Sequence, residues 1–324
     1  MPPDLAIVIV NYNTRELLRD CLNSIFKSHG DFTFQIYVID NNSSDNSAEL
    51  VRDSFPQVRL IESRENHGYA YANNLGLREI GFANSQFPVP TSQLPRYTLL
   101  LNPDTILPPF ALQEMLAFMD ARPDAGAAGP RLVLPNGELD RACRRSFPTP
   151  EIAFYRLTGL SFLFPRSRRF GRYNMSYLEA DETTEVDSVV GAFMLLRSEA
   201  VQQVGLLDDN FFMYGEDLDW AFRIKKAGWK VYYNADVTVL HYKEAASKGD
   251  HAIRTKTRYE FYRAMHLFYR KHYADQTPLW LHWLVLIGLI LRGGVALLSE
   301  GIKSLAAKRK GGATRATETM EKKV

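Results

Sequence analysis

Cysteine is nearly missing from this chain: Cys21 and Cys143 are the only two in 324 residues. A disulfide framework is thereby excluded, and with no CxxC spacing so is a thiolate metal site, which leaves a reducing, cytoplasmic compartment compatible. Charge of one sign is missing too. Lys and Arg number 39 against 37 Asp and Glu, a formal net charge of +2, so there is no overall electrostatic footprint for a nucleic acid and none is expected as a partner. A small molecule or a membrane fits better. The opening residues Met1-Pro2-Pro3-Asp4 enter an apolar run without the basic flank and cleavage site of a signal peptide, so the main domain is expected to stay in the cytoplasm. Also lacking is an uninterrupted apolar run of spanning length: residues 279–291 make thirteen, His282 among them, where a transmembrane helix needs roughly 20.

What is present is an apolar content of 46%, enough for one large α/β domain or a domain with an appendage. Residues 5–10 form a continuous β-rich run, followed by turn and cap residues at Tyr12, Asn13 and Thr14. A helical stripe of Leu17, Leu18, Cys21, Leu22 and Ile25 comes next, with Cys21 as a small core residue. Residues 35–40, 58–61 and 98–101 read as further strands, with helices at 46–53 and 71–81 between them. Such alternation predicts right-handed crossovers and an α/β fold with a mostly parallel sheet flanked by helices. Three polar clusters, Asn11-Tyr12-Asn13, Asp40-Asn41-Asn42 and Asn102-Pro103-Asp104, each sit at the carboxyl end of a strand, where such sheets collect ligands.

Residues 83–96 carry three prolines and read as a surface loop. Beyond them, 127–134 and 186–196 read as extended, 217–227 as a helix stopped by Gly228, 230–241 as a strand and 254–272 as a helix. The main domain is drawn as 1–245, followed by a helical extension at 246–277 and an apolar helix at 278–300. With Trp280 and Trp283 near one end, that helix is expected to lie on a membrane or to dock on the main domain. A polar tail at 301–324 with Lys308-Arg309-Lys310 is expected to be disordered and suits anionic headgroups.

Several clusters could carry chemistry. Asp40 could accept the imide N–H of a pyrimidine base or close an Asx turn. Asp104 could hold Mg²⁺ or Mn²⁺ against two phosphates, or Asn102-Pro103-Asp104 could simply turn the chain. In Phe211-Phe212-Met213-Tyr214-Gly215-Glu216-Asp217-Leu218-Asp219-Trp220 a glycine hinge precedes three carboxylates at a helix start. Acidic groups there stabilise the helix dipole. Three of them beside aromatic residues exceed what capping needs, and an ionised carboxylate at the mouth of the sheet is a candidate general base.

Assembled, residues 5–242 resemble the inverting family-2 glycosyltransferases of the GT-A fold, especially the bacterial rhamnosyltransferase-like branch. The markers are Val8-Ile9-Val10-Asn11-Tyr12-Asn13, Val38-Ile39-Asp40-Asn41-Asn42-Ser43-Ser44-Asp45, Asn66-His67-Gly68-Tyr69-Ala70-Tyr71-Ala72-Asn73-Asn74-Leu75-Gly76, Leu101-Asn102-Pro103-Asp104, Gly191-Ala192-Phe193 and Gly215-Glu216-Asp217-Leu218-Asp219-Trp220. The resemblance implies that Asn11, Tyr12, Asn13 and Asp40 line a nucleoside pocket. Asn66, Gly68, Asn73 or Asn74, and Asn102 would border the diphosphate and donor sugar. Asp104 would be the remaining carboxylate of an Asp-X-Asp metal motif whose first position is Asn102, and Asp217 the general base. His241 would be a second metal ligand, or else a structural histidine. Gly191, Ala192, Glu216, Asp219 and Trp220 would meet the acceptor, and Arg144, Arg145, Arg166, Arg168, Arg169 and Arg172 could grip its phosphates, touch a membrane or form a solvated basic face.

The expected reaction is transfer with inversion from a nucleotide sugar, dTDP-L-rhamnose first and a UDP-hexose or UDP-galactofuranose second. Its acceptor is expected to be a glycan, or a glycan linked to polyprenyl diphosphate, in cell-surface polysaccharide or O-antigen assembly at the inner face of the cell membrane. A nucleotidyltransferase is disfavoured because Asn11-Tyr12-Asn13-Thr14 is not a glycine-rich phosphate loop with Lys or Arg. A non-catalytic membrane scaffold is disfavoured because Asp104 and Asp217 are both present.

Overall fold

The computed structural model describes residues 2–82, 90–243 and 251–299. Residues 83–89 of the proline-bearing loop expected at 83–96 and the whole tail expected at 301–324 lie outside the described residues. The chain divides into two compact units, Met1–Ala246 and Ser247–Val324.

The first unit begins with the alternation read from the sequence: β1 (Leu5–Asn11), α1 (Arg15–Phe26), β2 (Phe34–Asp40), α2 (Ser47–Ser54), β3 (Arg59–Glu62), α3 (Tyr69–Ile80) and β4 (Tyr97–Leu101). All of β1 and β4 is buried, as expected of strands covered on both faces. On α1, Leu18, Cys21, Leu22 and Ile25 form the buried stripe. Burial raises the Cys21 thiol to about 12, consistent with an inert core position.

After β4 the chain continues through β5 (Thr105–Ile106), α4 (Ala111–Asp120), β6 (Ala125–Val133), α5 (Pro150–Leu157), α6 (Leu160–Leu163), β7 (Thr184–Val186), β8 (Phe193–Arg197), α7 (Ser198–Val204), α8 (Glu216–Lys226) and β9 (Lys230–His241). The sheet runs β3-β2-β1-β4-β8-β6-β9-β5, with β7 also on β9. From β3 to β4 all pairs are parallel. Beyond β4 the pairs are antiparallel except β6 with β9. The extended reading of 186–196 is thus split. Because β7 lies on β9 while β8 lies between β4 and β6, residues 187–192 leave the sheet to pass both intervening strands.

Strand order reverses at β1, with β2 on one side and β4 on the other. The crevice at their carboxyl ends is where an α/β sheet takes its ligand, and register brings Asn11 beside Asp40 there. On the other side, Thr105 pairs with His241, so β5 fastens the loop after β4 to the end of β9.

The second unit holds α9 (His251–His272) and α10 (Leu279–Ser299). The thirteen-residue run underestimates α10. The helix continues past Arg292 to reach 21 residues in all, long and apolar enough to cross a membrane by length and composition.

Candidate active site

At the ends of β1 and β2, polar side chains satisfy one another in a closed network. Asn11 donates through Nδ2 to Asp40 Oδ1 at 3.2 Å and to Ser43 Oγ at 3.1 Å, and Thr14 donates to Asn11 Oδ1 at 2.6 Å. Asp40 Oδ2 accepts the Ser43 N–H at 2.9 Å, so the turn-closing role is realised while Oδ1 keeps accepting capacity toward the crevice. Helix capping falls to Asp45, which accepts the N–H groups of Arg15 and Ser47. Asn13 sits at φ 54 and accepts the Ser44 N–H at 2.7 Å. Tyr12 is exposed at the rim.

The loop before α3 is fixed by a residue that sequence reasoning passed over. Asn41 Nδ2 donates to Asn66 Oδ1 at 3.0 Å and to the Gly68 carbonyl at 3.3 Å, while Asn66 Oδ1 also accepts the Gly68 N–H. Gly68 has φ +94, and a Cβ there would lie 2.3 Å from the Phe212 carbonyl oxygen. Only glycine fits, because the Tyr69 N–H reaches that same carbonyl at 2.7 Å. The loop before α3 is thereby joined to the segment that leads into α8. Asn73 donates to the Tyr69 carbonyl at 2.9 Å. Asn74, however, is turned away. Its amide clamps Leu207 through both N–H and C=O and meets Asp209, so it holds the 207–209 loop rather than a ligand.

Asp104 and His241 come together where β5 meets β9. His241 Nε2 lies 3.4 Å from Asp104 Oδ1, yet that buried oxygen makes no aligned hydrogen bond. On its other side His241 Nδ1 is 2.9 Å from Asp140 Oδ2, and Asp140 also takes the Lys243 ammonium. Burial works against a charged imidazole, but Asp104 and Asp140 overcome it and carry His241 up to about 9. Burial likewise opposes the Asp140 charge, and the bonds from His241 and Lys243 hold its carboxyl well below the usual range. His241 thus lies between two carboxylates, Asp140 on Nδ1 and Asp104 on Nε2. No point among the described residues gathers three or more His, Cys, Asp or Glu ligands. A cation here would take two protein ligands and complete its shell from phosphate or water.

Helix α8 opens on Gly215, at φ +82, preceded by Tyr214 at φ 69. The glycine supplies a left-handed cap that most residues resist. Asp217, one residue into the helix, accepts at Oδ2 from Arg145 Nη2 at 2.7 Å and from the Gly191 N–H at 3.0 Å. Its Oδ1 accepts the Leu218 N–H at 2.7 Å. The ion pair is nearly dry, with side-chain exposures of 10% and 8%. Burial disfavours the guanidinium charge, but Asp217 beside it raises the Arg145 pKa above its ordinary value. Glu216 is also buried, and Oε2 has no hydrogen-bond partner. Burial, then the Asp217 charge, push it up to about 8.

Tyr69 ties the two sides together. Its hydroxyl is 3.1 Å from Asn102 Oδ1 and 3.0 Å from the Gly191 carbonyl, and burial raises its pKa, so it stays a donor. The Ala192 carbonyl accepts the Asn102 N–H at 3.0 Å. A continuous line of contacts thus runs from Asn102 through Tyr69 and Gly191 to Asp217.

Two acceptor-side expectations are corrected. Asp219 and Trp220 are fully buried: Asp219 pairs with Arg223, which holds the carbonyls of Val204 and Leu206, and the Trp220 indole donates to the Gly205 carbonyl. They anchor α8 to the end of α7. The arginine group is corrected as well, since Arg144 is buried and donates to the Leu178 and Glu179 carbonyls and Arg145 pairs with Asp217. Only Arg166, Arg168, Arg169 and Arg172 remain on the surface.

The polar network at the switch point, the Asp104–His241 pair and the buried Asp217 at the start of α8 thus belong to one unit. Among solved structures, the mannosyltransferase PcManGT of Pyrobaculum calidifontis, in complex with GDP-Man and Mn²⁺, has a TM-score of 0.53 at 18% identity over 98% of this chain and 80% of its own. Fold and site together define a nucleotide-sugar glycosyltransferase of the GT-A type. The chain belongs to the family described as Glycosyltransferase like family 2, whose model matches residues 2–260. It is 28% identical to the N-acetylglucosaminyl-diphospho-decaprenol L-rhamnosyltransferase of Mycobacterium tuberculosis, over 91% of this chain and 92% of that one. It is 25% identical to the low-salt glycan biosynthesis hexosyltransferase Agl10 of Haloferax volcanii, over 74% of this chain and 68% of that one.

Proposed function

We propose that the protein transfers L-rhamnose from dTDP-L-rhamnose, with inversion, onto a hydroxyl of a glycan carried on a polyprenyl diphosphate. The observation that carries this is the line of contacts from Asn102 through Tyr69 and Gly191 to Asp217, which supports reading Asp217 as the base and the Asn102 end as the diphosphate side. Likeness to a lipid-linked rhamnosyltransferase over nine-tenths of both chains supports the donor and acceptor.

In the proposed reaction Asp40 and Asn11 receive the base of the nucleotide, and the loop held by Asn41 and Gly68 closes on the diphosphate. Arg145 and the Gly191 N–H fix Asp217 Oδ2 in place. Oδ1, which carries only the Leu218 N–H, retains a lone pair for the acceptor hydroxyl. Asp217 takes the proton as that oxygen attacks the anomeric carbon from the face opposite the diphosphate, and a single displacement inverts the centre. A divalent cation, Mg²⁺ or Mn²⁺, would be held by Asp104 and His241 and would offset the charge of the departing diphosphate. The second unit brings the enzyme to the cytoplasmic face of the membrane through α10, whose Trp280 and Trp283 are exposed and suit the headgroup level.

The test is a panel of nucleotide sugars offered with a polyprenyl-diphosphate-linked glycan, the product configuration being read by NMR. Transfer from dTDP-L-rhamnose with the anomeric configuration inverted is expected. Preference for a UDP-hexose or UDP-galactofuranose overturns the donor, and retained configuration overturns the mechanism.

A further inference from the structure

Between β6 and β7 the chain makes a long excursion that the reaction above leaves unused. It departs immediately after Arg145 and Phe147 and returns at Asp187 and Ser188, where the Asp187 carboxylate accepts the Phe147 N–H at 3.1 Å and Ser188 bridges to Arg145. Its root is therefore tied to the residues that hold Asp217. From Ile152 to Leu178 it contains Arg156, Arg166, Arg168, Arg169 and Arg172 and no Asp or Glu. In a chain whose charges otherwise balance, that is a concentrated block of one sign.

The excursion is folded, and folded with its apolar tip outward. Thr149 caps α5 through the Ile152 N–H, and the Tyr155 and Phe170 rings meet edge to face at 4.9 Å. Ser176 Oγ donates to the Pro165 carbonyl at 2.6 Å, and the Gly171 N–H reaches the Ser167 carbonyl at 2.8 Å. On this frame Phe162, Leu163 and Phe164 stand 67%, 71% and 52% exposed. Single apolar residues on a surface need no explanation, but a consecutive exposed trio does. Around it, Arg166, Arg168 and Arg172 are exposed, with Arg172 near enough to Glu151 to lower its pKa. Arg169 meets Glu151 at 3.4 Å, and Arg156 stacks over Tyr173 at 4.3 Å.

We propose that residues 154–172 are a membrane-docking tongue of the catalytic unit itself, inserting Phe162, Leu163 and Phe164 at the headgroup boundary while Arg166, Arg168 and Arg172 bind anionic phospholipid headgroups. An exposed apolar trio flanked by exposed cations suits such a surface on both counts. The tongue is distinct from α10 and lies on the other unit; its benefit to transfer rests on the lipid-linked acceptor proposed above, its lipid contact does not.

The experiment uses the full chain with Leu163→Cys carrying an environment-sensitive fluorophore, since Cys21 and Cys143 are buried, and Gln57→Cys labelled as the control. Vesicles are phosphatidylcholine alone or with phosphatidylglycerol, and bound protein is separated by sedimentation. Blue-shifted emission at position 163 but not 57, on the anionic vesicles, is expected. The triple variant R166E/R168E/R172E should weaken that shift at least about tenfold in lipid titration. Unshifted emission at 163 in sedimented protein, an equal shift at 57, or an equal shift on neutral vesicles overturns the proposal. Equal losses of transfer by the triple variant onto a short-chain soluble acceptor and a vesicle-borne one overturn it too, placing these arginines on the acceptor. Failure to use dTDP-L-rhamnose sinks the donor assignment alone, because the fluorescence result does not depend on it.

Discussion

Breaking the Arg145–Asp217 pair separates what Asp217 does for the fold from what it does for the reaction. Both side chains are at most 10% exposed and their atoms are 2.7 Å apart, so removing either partner leaves an unpaired charge in a nearly dry site. Such losses cost about 3–5 kcal/mol. At roughly 2–4 °C per kcal/mol for a domain of this size, Arg145→Met should melt on the order of 10 °C below the wild type. Asp217→Asn should be destabilised in the same direction, though less, because the amide oxygen can still accept from Arg145 and from the Gly191 N–H. The double variant Arg145→Met/Asp217→Asn carries no unpaired charge and should recover much of the stability lost by Arg145→Met. Transfer should stay lost, because no carboxylate remains. Calorimetric melting of the four proteins in one buffer measures the coupling. A wild-type melting temperature for Arg145→Met would refute the buried pair, and recovery of transfer by the double variant would refute Asp217 as the base.

Other outcomes follow from the same site. Asp140→Asn should weaken Mn²⁺ binding about 10–100-fold, as loss of a carboxylate behind a liganding histidine does, with calorimetric titration as the check and unchanged affinity as the contrary result. Because Asp104 and Asp140 carry His241 up to about 9, a cation binding there must displace a proton below that pH. Mn²⁺ affinity should therefore fall as pH is lowered from 9 to 6, and a flat profile would exclude His241 as a ligand. Glu216, with its folded pKa raised from 4.5 to about 8, binds its proton more tightly when folded. It thus costs stability progressively as pH rises from about 4.5 to 8, and Glu216→Gln should gain in melting temperature relative to wild type across that window. Gly68→Ala, which would place a Cβ 2.3 Å from the Phe212 carbonyl oxygen at φ +94, should destabilise by more than about 1 kcal/mol and raise KM for the donor; a wild-type KM and melting curve would contradict the close approach.

The first half of the fold was legible because β1 and β4 are fully buried apolar runs and β1, β2 and β4 lead into polar residues, while each helix between them shows one face. Local pattern carried that much. Residues 187–192 were misread because Val189 and Val190 look like strand while the sheet order forces that segment across β9 and β6. Asp140 was invisible: nothing near it in sequence announces a partner, and His241 is 101 residues away. Arg145 looked like part of a surface basic group, since its buried partner lies 72 residues on. Asp219 and Trp220 shared a motif with Asp217 but serve packing, a distinction set by which side of α8 faces α7.

The central claim is that Asp217 is the base of a nucleotide-sugar transferase, and a paired measurement on one preparation of Asp217→Asn tests it most directly. Donor affinity comes from calorimetric titration with dTDP-L-rhamnose, and the rate from single-turnover transfer onto the lipid-linked acceptor. Donor binding close to wild type with transfer lowered at least about 10²-fold is predicted, the low end of what a general base contributes. Transfer near the wild-type rate would contradict the account and move the base to Glu216.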